Sequence, residues 1–217
     1  MTIGDASADV TTLSKSEMTS LYSVDLHQAR TLCAQARLRT TLKNVGPKVQ
    51  FAQLPHVPAP EELKELASVM NPDEPPLGKF WENMEQRPIA RTKERVEPLK
   101  TLQRWFRYLR EPKEVDVFHA MARTLPMIDT MGIPAGAQNS TKPFITSMAP
   151  TIRFGTQFHS VHPHDDWLFI ETTCDSAEDG LINSSSKVFD KVGRLLATGN
   201  SQMLVTPKRD SLNLGRK

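Results

Sequence analysis

Cysteine is almost missing from this chain: 217 residues contain Cys33 and Cys174 and no others. The two lie far apart and form no C-x-x-C, which argues against a disulfide framework and a zinc ribbon. No charge of one sign dominates. The 27 Lys and Arg against 25 Asp and Glu leave a net charge of +2, so the balance gives no case for a nucleic-acid partner. No apolar run approaches membrane-spanning length. The N-terminus lacks the basic and apolar regions of a secretory leader, and Gly215-Arg216-Lys217 is not the S-K-L peroxisomal signal. A cytoplasmic, reducing compartment without membrane contact is therefore expected. G-x-S-x-G, the Walker loop and G-x-G-x-x-G are all absent, which removes the usual serine-hydrolase and nucleotide-fold readings.

What remains is a chain of 38% hydrophobic and 24% charged residues, suited to one large or two small domains. Its clearest pattern lies between Thr151 and Val205. In Thr151–His159, Ile152, Phe154 and Phe158 alternate with Arg153, Gly155, Gln157 and His159, the period of a half-buried strand. Trp167–Thr173, Leu181–Phe189 and Arg194–Val205 read as three more strands. Turn chemistry separates them at His162-Pro163-His164-Asp165, Asp175–Gly180 and Asp190–Gly193. Four strands with short turns predict an antiparallel meander.

Upstream, residues 1–22 are rich in Ser, Thr and Asp and read as a disordered tail. Ser23–Thr41 is ambiguous, because Leu26, Ala29, Cys33 and Ala36 have helical spacing. Pro60–Met70 reads as a short helix with Glu61 and Glu62 in its first turn, stopped by Asn71-Pro72. Pro88–Val96 and Thr101–Leu109 read as strands. Glu114–Met131 reads as a helix with Val117, Phe118, Met121, Leu125 and Ile128 in one stripe. Pro126 should kink it, and Gly132 and Pro134 should end it.

Two clusters invite chemistry. His159, His162, His164, Asp165 and Asp166 carry zinc-ligand groups, but His162-Pro163-His164 reads as a solvated turn. Arg104, Arg107 and Arg110 interleave with Trp105, Phe106 and Tyr108, as in single-strand binders or a coenzyme A phosphate site. The competing reading is a strand whose arginines lie over apolar surface.

The pieces T-I and F-H (Thr151, Ile152, Phe158, His159), D-D-W-L (Asp165–Leu168) and G-R-L-L-A (Gly193–Ala197), in this order, resemble the C-terminal half of the type II acyl-CoA thioesterases, the double-hotdog family. The resemblance implies an α+β fold, an antiparallel sheet wrapped around a long helix. A complete hotdog is expected over 87–206. A partial first hotdog over 23–58 would be built from residues 23–41 and the strand Val49–Leu54. Residues 59–86 would be a linker and 207–217 a tail. It also implies hydrolysis of a fatty-acyl or polyketide-type thioester without metal or organic cofactor. A non-catalytic hotdog that binds acyl chains or a subunit, and a polyketide dehydratase or cyclase, are the alternatives. The family's water-orienting Thr falls on Thr151. Its Gln aligns with Ser201, and a β-bulge at Gly199-Asn200 would bring Gln202 into place; Thr151 and Gln202 are the expected site residues. The family Asp has no counterpart: Met121, Ala122 and Arg123 occupy its interval, and Asp129 follows Pro126. Arg153 and Phe154 replace the Asp-His of the family pattern. An incomplete first hotdog leaves unpaired strand edges, so a homo-oligomer is expected.

Overall fold

The computed structural model describes residues 5–42, 46–70, 78–89, 101–110, 116–138, 147–161 and 166–207. The chain divides into two units, 1–49 and 50–217.

The first unit is a three-stranded antiparallel sheet, β1 (Ala6–Lys15), β2 (Thr19–Gln28) and β3 (Thr31–Thr41), in that order. The expected tail is therefore corrected: Ala6–Lys15 pairs with β2 over nearly its whole length. Its Val and Thr residues suit a pleated strand, and partner hydrogen bonds outweigh the polar composition. The ambiguity at 23–41 resolves to strand. The helical spacing fails because Ala29 and Arg30 both take positive φ, 48° and 66°, in the two-residue β2–β3 turn. Val49–Leu54, expected as a strand, is not one.

In the second unit a six-stranded antiparallel sheet has the order β4-β5-β8-β9-β10-β7. Its strands are β4 (Met84–Pro88), β5 (Thr101–Tyr108), β7 (Thr151–Phe158), β8 (Trp167–Glu178), β9 (Leu181–Asp190) and β10 (Leu195–Leu204); β6 (Ser147–Met148) pairs with β11 (Thr206–Pro207). The four-strand meander is corrected to three, β8-β9-β10, because β7 closes against β10. β8 runs beyond the expected turn at Asp175. The reversal falls at Asp179 and Gly180, whose positive φ of 51° and 80° fits a tight hairpin. The strand expected at Pro88–Val96 is found at Met84–Pro88; residues 90–100 lie outside the described set, as do the His162–Asp165 turn and residues 111–115.

One face of the sheet carries the helical segments α2 (Val117–Ala122), α3 (Leu125–Thr130) and α4 (Gly132–Gln138). Met127, Ile128, Met131 and Ala135 pack with Phe106, Leu168, Ile170 and Val188 in one core cluster. Pro126 breaks the helix as expected, at the first turn of α3. Gly132 and Pro134 do not end it. Gly132 instead permits close approach to the sheet, since a Cβ there would lie 2.7 Å from Ser184 Oγ.

The opposite face is covered by the segment leading in from Gln50. Ala52, Leu54, Val57 and Leu63 pack on Trp105, Trp167, Phe169, Phe189 and Leu195. The Gln50 amide donates to Gly193 O (2.9 Å) and accepts from Leu195 N (2.7 Å). Arg87 donates to Pro60 O (2.6 Å) and Leu63 O (3.1 Å). With the carbonyls of Pro60 and Leu63 taken by Arg87, the expected Pro60–Met70 helix is divided into a 3-10 turn, Pro60–Glu62, and a short α1, Leu66–Val69. Burial on both faces explains why β8 opens with the unbroken apolar run Trp167–Ile170.

Candidate functional site

Side-chain direction follows from register. On β10, Ala197, Gly199, Ser201 and Met203 point to the helix, and Thr198, Asn200 and Gln202 point away. Ser201 is 3% exposed, and its hydroxyl pairs with that of Ser184 on β9 at 2.9 Å. β7 places Phe158 opposite Ala197, Thr156 opposite Gly199 and Phe154 opposite Ser201; after a register shift Thr151 lies opposite Met203. Thr151 therefore shares the helix side with Ser201 and Phe154. It is half-buried, and its side chain has no hydrogen bond among the described residues.

The bulge lies on the other strand from the one expected. Ile152 is the residue left without a β10 partner, and pairing runs regularly through Gly199 and Asn200. Ile152 thereby falls out of phase with Phe154 and is 54% exposed. Gln202 stays on the face away from the helix, opposite Arg153, and donates to Asn183 Oδ1 at 2.8 Å. The structure thus does not bring Gln202 together with Thr151. Ser201 occupies the helix-side position but spends its hydroxyl on Ser184.

Arg123 is 4% exposed and turned into the protein. Its guanidinium lies 5.5 Å from the Tyr108 ring centre, and Tyr108 Oη donates to Arg123 O at 2.8 Å. Asp129 is the one carboxylate in the sequence of α2–α4. It is half-buried on α3 and has no hydrogen bond or ion pair among the described residues. Its neighbour Ile128 meets Gly199: a Cβ on that glycine would lie 2.6 Å from Ile128 Cγ2. Cys174 is no thiolate candidate, because burial, and then Asp175, push its thiol up.

The basic stripe divides between the two faces. Arg104 is buried on the helix side, donates to Gln86 at 2.6 Å and lies over the Phe106 ring. Arg107 points the other way. It shares the buried Glu85 with Arg87, and both guanidinium groups lie over Trp167, at 4.9 and 5.2 Å. The arginines brace the sheet and form no continuous track. Among the described residues no three His, Cys, Asp or Glu side chains group as metal ligands would; His162, His164 and Asp165 lie outside them. His159 pairs with the Thr198 hydroxyl at 2.9 Å.

A shallow cavity of about 490 Å³ is bordered by Gln157, Glu171, Lys187, Thr198 and Asn200. These side chains lie on the sheet face away from Thr151. Glu171 is already engaged by Gln103 (2.9 Å) and Lys187 (3.4 Å), so the hollow is a row of short polar residues between longer ones, separate from the helix-side site.

Residues 53–205 match the family model for the acyl-CoA thioesterase C-terminal domain. Among solved structures the chain is similar to acyl-CoA thioesterase II TesB2 from Mycobacterium marinum, at 18% identity and TM-score 0.73, over 92% of this chain and 73% of that one. It is also similar to the tesB protein of Mycobacterium avium subs paratuberculosis, at 18% identity and TM-score 0.71, over 93% and 72%. A third match is a conserved protein of unknown function with a hot dog fold from Alicyclobacillus acidocaldarius, at 16% identity and TM-score 0.72, over 92% and 72%. At these identities the structural likeness establishes the hotdog fold. No curated protein matches the sequence. Among the described residues no helix is long and apolar enough to cross a membrane.

Proposed function

Because the chain belongs to the acyl-CoA thioesterase C-terminal domain family, we propose that it binds an acyl-CoA or related acyl thioester at Thr151 and hydrolyses it to acid and thiol. The observation that carries this reading is the placement of Thr151. It is a half-buried hydroxyl on the helix side of the outer strand, without a hydrogen bond among the described residues and next to the exposed Ile152. Hydrolysis needs a water aimed at the carbonyl and a base to take its proton. Thr151 orients the water. Asp129 is the base, being the carboxylate on the segment packed over β7 and β10. We read the sheet of residues 6–41 as part of a first hotdog, and the working protein as a cytoplasmic homo-oligomer.

A second reading, acyl binding without turnover, is favoured by Gln202 facing away from Thr151. A thiol-release assay over acyl-CoA esters of graded length separates the two. Hydrolysis predicts turnover that Asp129→Asn lowers at least about tenfold, the usual scale for losing a catalytic acid or base. Tight binding with no release would establish the second reading. Turnover unchanged by Asp129→Asn would remove that residue from the mechanism.

A further inference from the structure

We propose that Phe154 is the wall against which the acyl chain lies, and that it sets the acyl-length preference of this site; the inference rests on Thr151 facing the thioester. Phe154 pairs with Ser201, and Thr151 with Met203, two residues further along β10. Two strand residues span about 7 Å, so the ring begins about that far from the hydroxyl, on the same face. Phe154 remains 39% exposed on an outermost strand of the sheet.

Among the described residues the interior is closed at two points near this face. Helix and sheet are in tight contact where an acyl tail would otherwise enter. A Cβ on Gly132 would lie 2.7 Å from Ser184 Oγ and 3.3 Å from Met203 Sδ, and one on Gly199 would lie 2.6 Å from Ile128. Phe158 already packs into the core. An acyl chain leaving Thr151 therefore runs along the exposed ring of Phe154. An acetyl group does not reach it, whereas an octanoyl group covers it. The ring is already partly buried, so the gain from covering the rest is a fraction of a full phenylalanine burial, roughly three- to tenfold in affinity.

The test is calorimetric binding of two non-hydrolysable thioethers, ethyl-CoA and octyl-CoA, to the full chain and to Phe154→Ala and Phe154→Leu. The wild type should prefer octyl-CoA. Phe154→Ala should weaken octyl-CoA roughly three- to tenfold and leave ethyl-CoA unchanged, and Phe154→Leu should restore most of the loss. Equal weakening of both ligands, no weakening of either, or a wild type that binds neither would overturn the proposal. So would a change of oligomeric state in Phe154→Ala with the length preference intact, which would assign this face to a second copy of the chain. The readout is binding, so an absence of hydrolysis in the thiol-release assay would refute turnover and leave this inference standing.

Discussion

Gly199 carries the sharpest stability prediction. A Cβ there would lie 2.6 Å from Gly155 O, 2.6 Å from Ile128 Cγ2 and 3.2 Å from Thr156 Oγ1. The first neighbour is backbone of the paired strand, so relief requires β7 to move away from β10 or α3 to lift. Overpacking of this kind costs about 1–3 kcal/mol. Alanine recovers roughly 0.5–1 kcal/mol of glycine's backbone entropy, leaving a net loss of about 1–2 kcal/mol. For a unit of this size that lowers Tm by about 2–8 °C. Gly136 is the control: a Cβ there meets Cys174 Sγ and Ile182 at 3.5 Å, ordinary contact. Its helical position predicts a gain of up to about 1 kcal/mol. Thermal unfolding followed by far-UV circular dichroism should therefore move in opposite directions for Gly199→Ala and Gly136→Ala. A Gly199→Ala midpoint at or above wild type would refute the packing argument.

Glu85 supplies a pH prediction. Burial raises its carboxyl, but hydrogen bonds from Arg87 and Arg107 outweigh that and hold it below the usual carboxylate value. The unfolded chain takes up that proton more readily, so stability should fall as pH drops from about 4.5 through the depressed folded value. Glu85→Gln should cost about 1–3 kcal/mol at neutral pH, discounted for the exposure of Arg107, and should flatten that acid limb in denaturant titrations. An acid limb unchanged in Glu85→Gln would contradict this. Ser184→Ala or Ser201→Ala should each cost about 1–3 kcal/mol by leaving a buried hydroxyl unpaired, and the double variant less than their sum; strict additivity in urea midpoints would show that the pair is not coupled.

Much of the fold was legible because local patterns and tertiary burial agree. The alternation in Thr151–His159 marks β7, the apolar run Trp167–Ile170 marks a strand buried on both faces, and Asp190–Gly193 marks a turn. Asp190 accepts there from Val192 N and Arg194 N, and Gly193 takes a φ of 87°. The failures have physical causes. Ala6–Lys15 looked like a solvated tail because its strand character depends on pairing with β2, which composition does not report. Leu26, Ala29, Cys33 and Ala36 kept a helical period across a turn that two left-handed residues form. Gly132 looked like a helix stop, but the constraint on it is spatial: Ser184 and Met203 lie against it from strands far away in sequence.

The candidate site was half legible. Thr151 could be placed by its motif and its strand period. The Gln202 expectation needed a bulge at Gly199–Asn200. The glycine that suggested a bulge serves instead to admit Ile128 against the sheet, and the register shift falls at Ile152 on β7. Nothing local distinguishes a glycine that bends a strand from one that makes room for a helix. Phe154 shows the same limit from the other side. Alternation predicts it to be inward-facing like Phe158, yet it remains 39% exposed while Phe158 packs against the core.

The central claim is that Thr151 orients the water that attacks the thioester. Single-turnover thiol release from octanoyl-CoA by Thr151→Val tests it most directly, with Gln202→Ala in parallel and far-UV circular dichroism to confirm that both are folded. Thr151→Val should release thiol at least about tenfold more slowly than wild type, the scale expected for losing a positioned polar group, and Gln202→Ala at an unchanged rate. A folded Thr151→Val protein that releases thiol at the wild-type rate would contradict it.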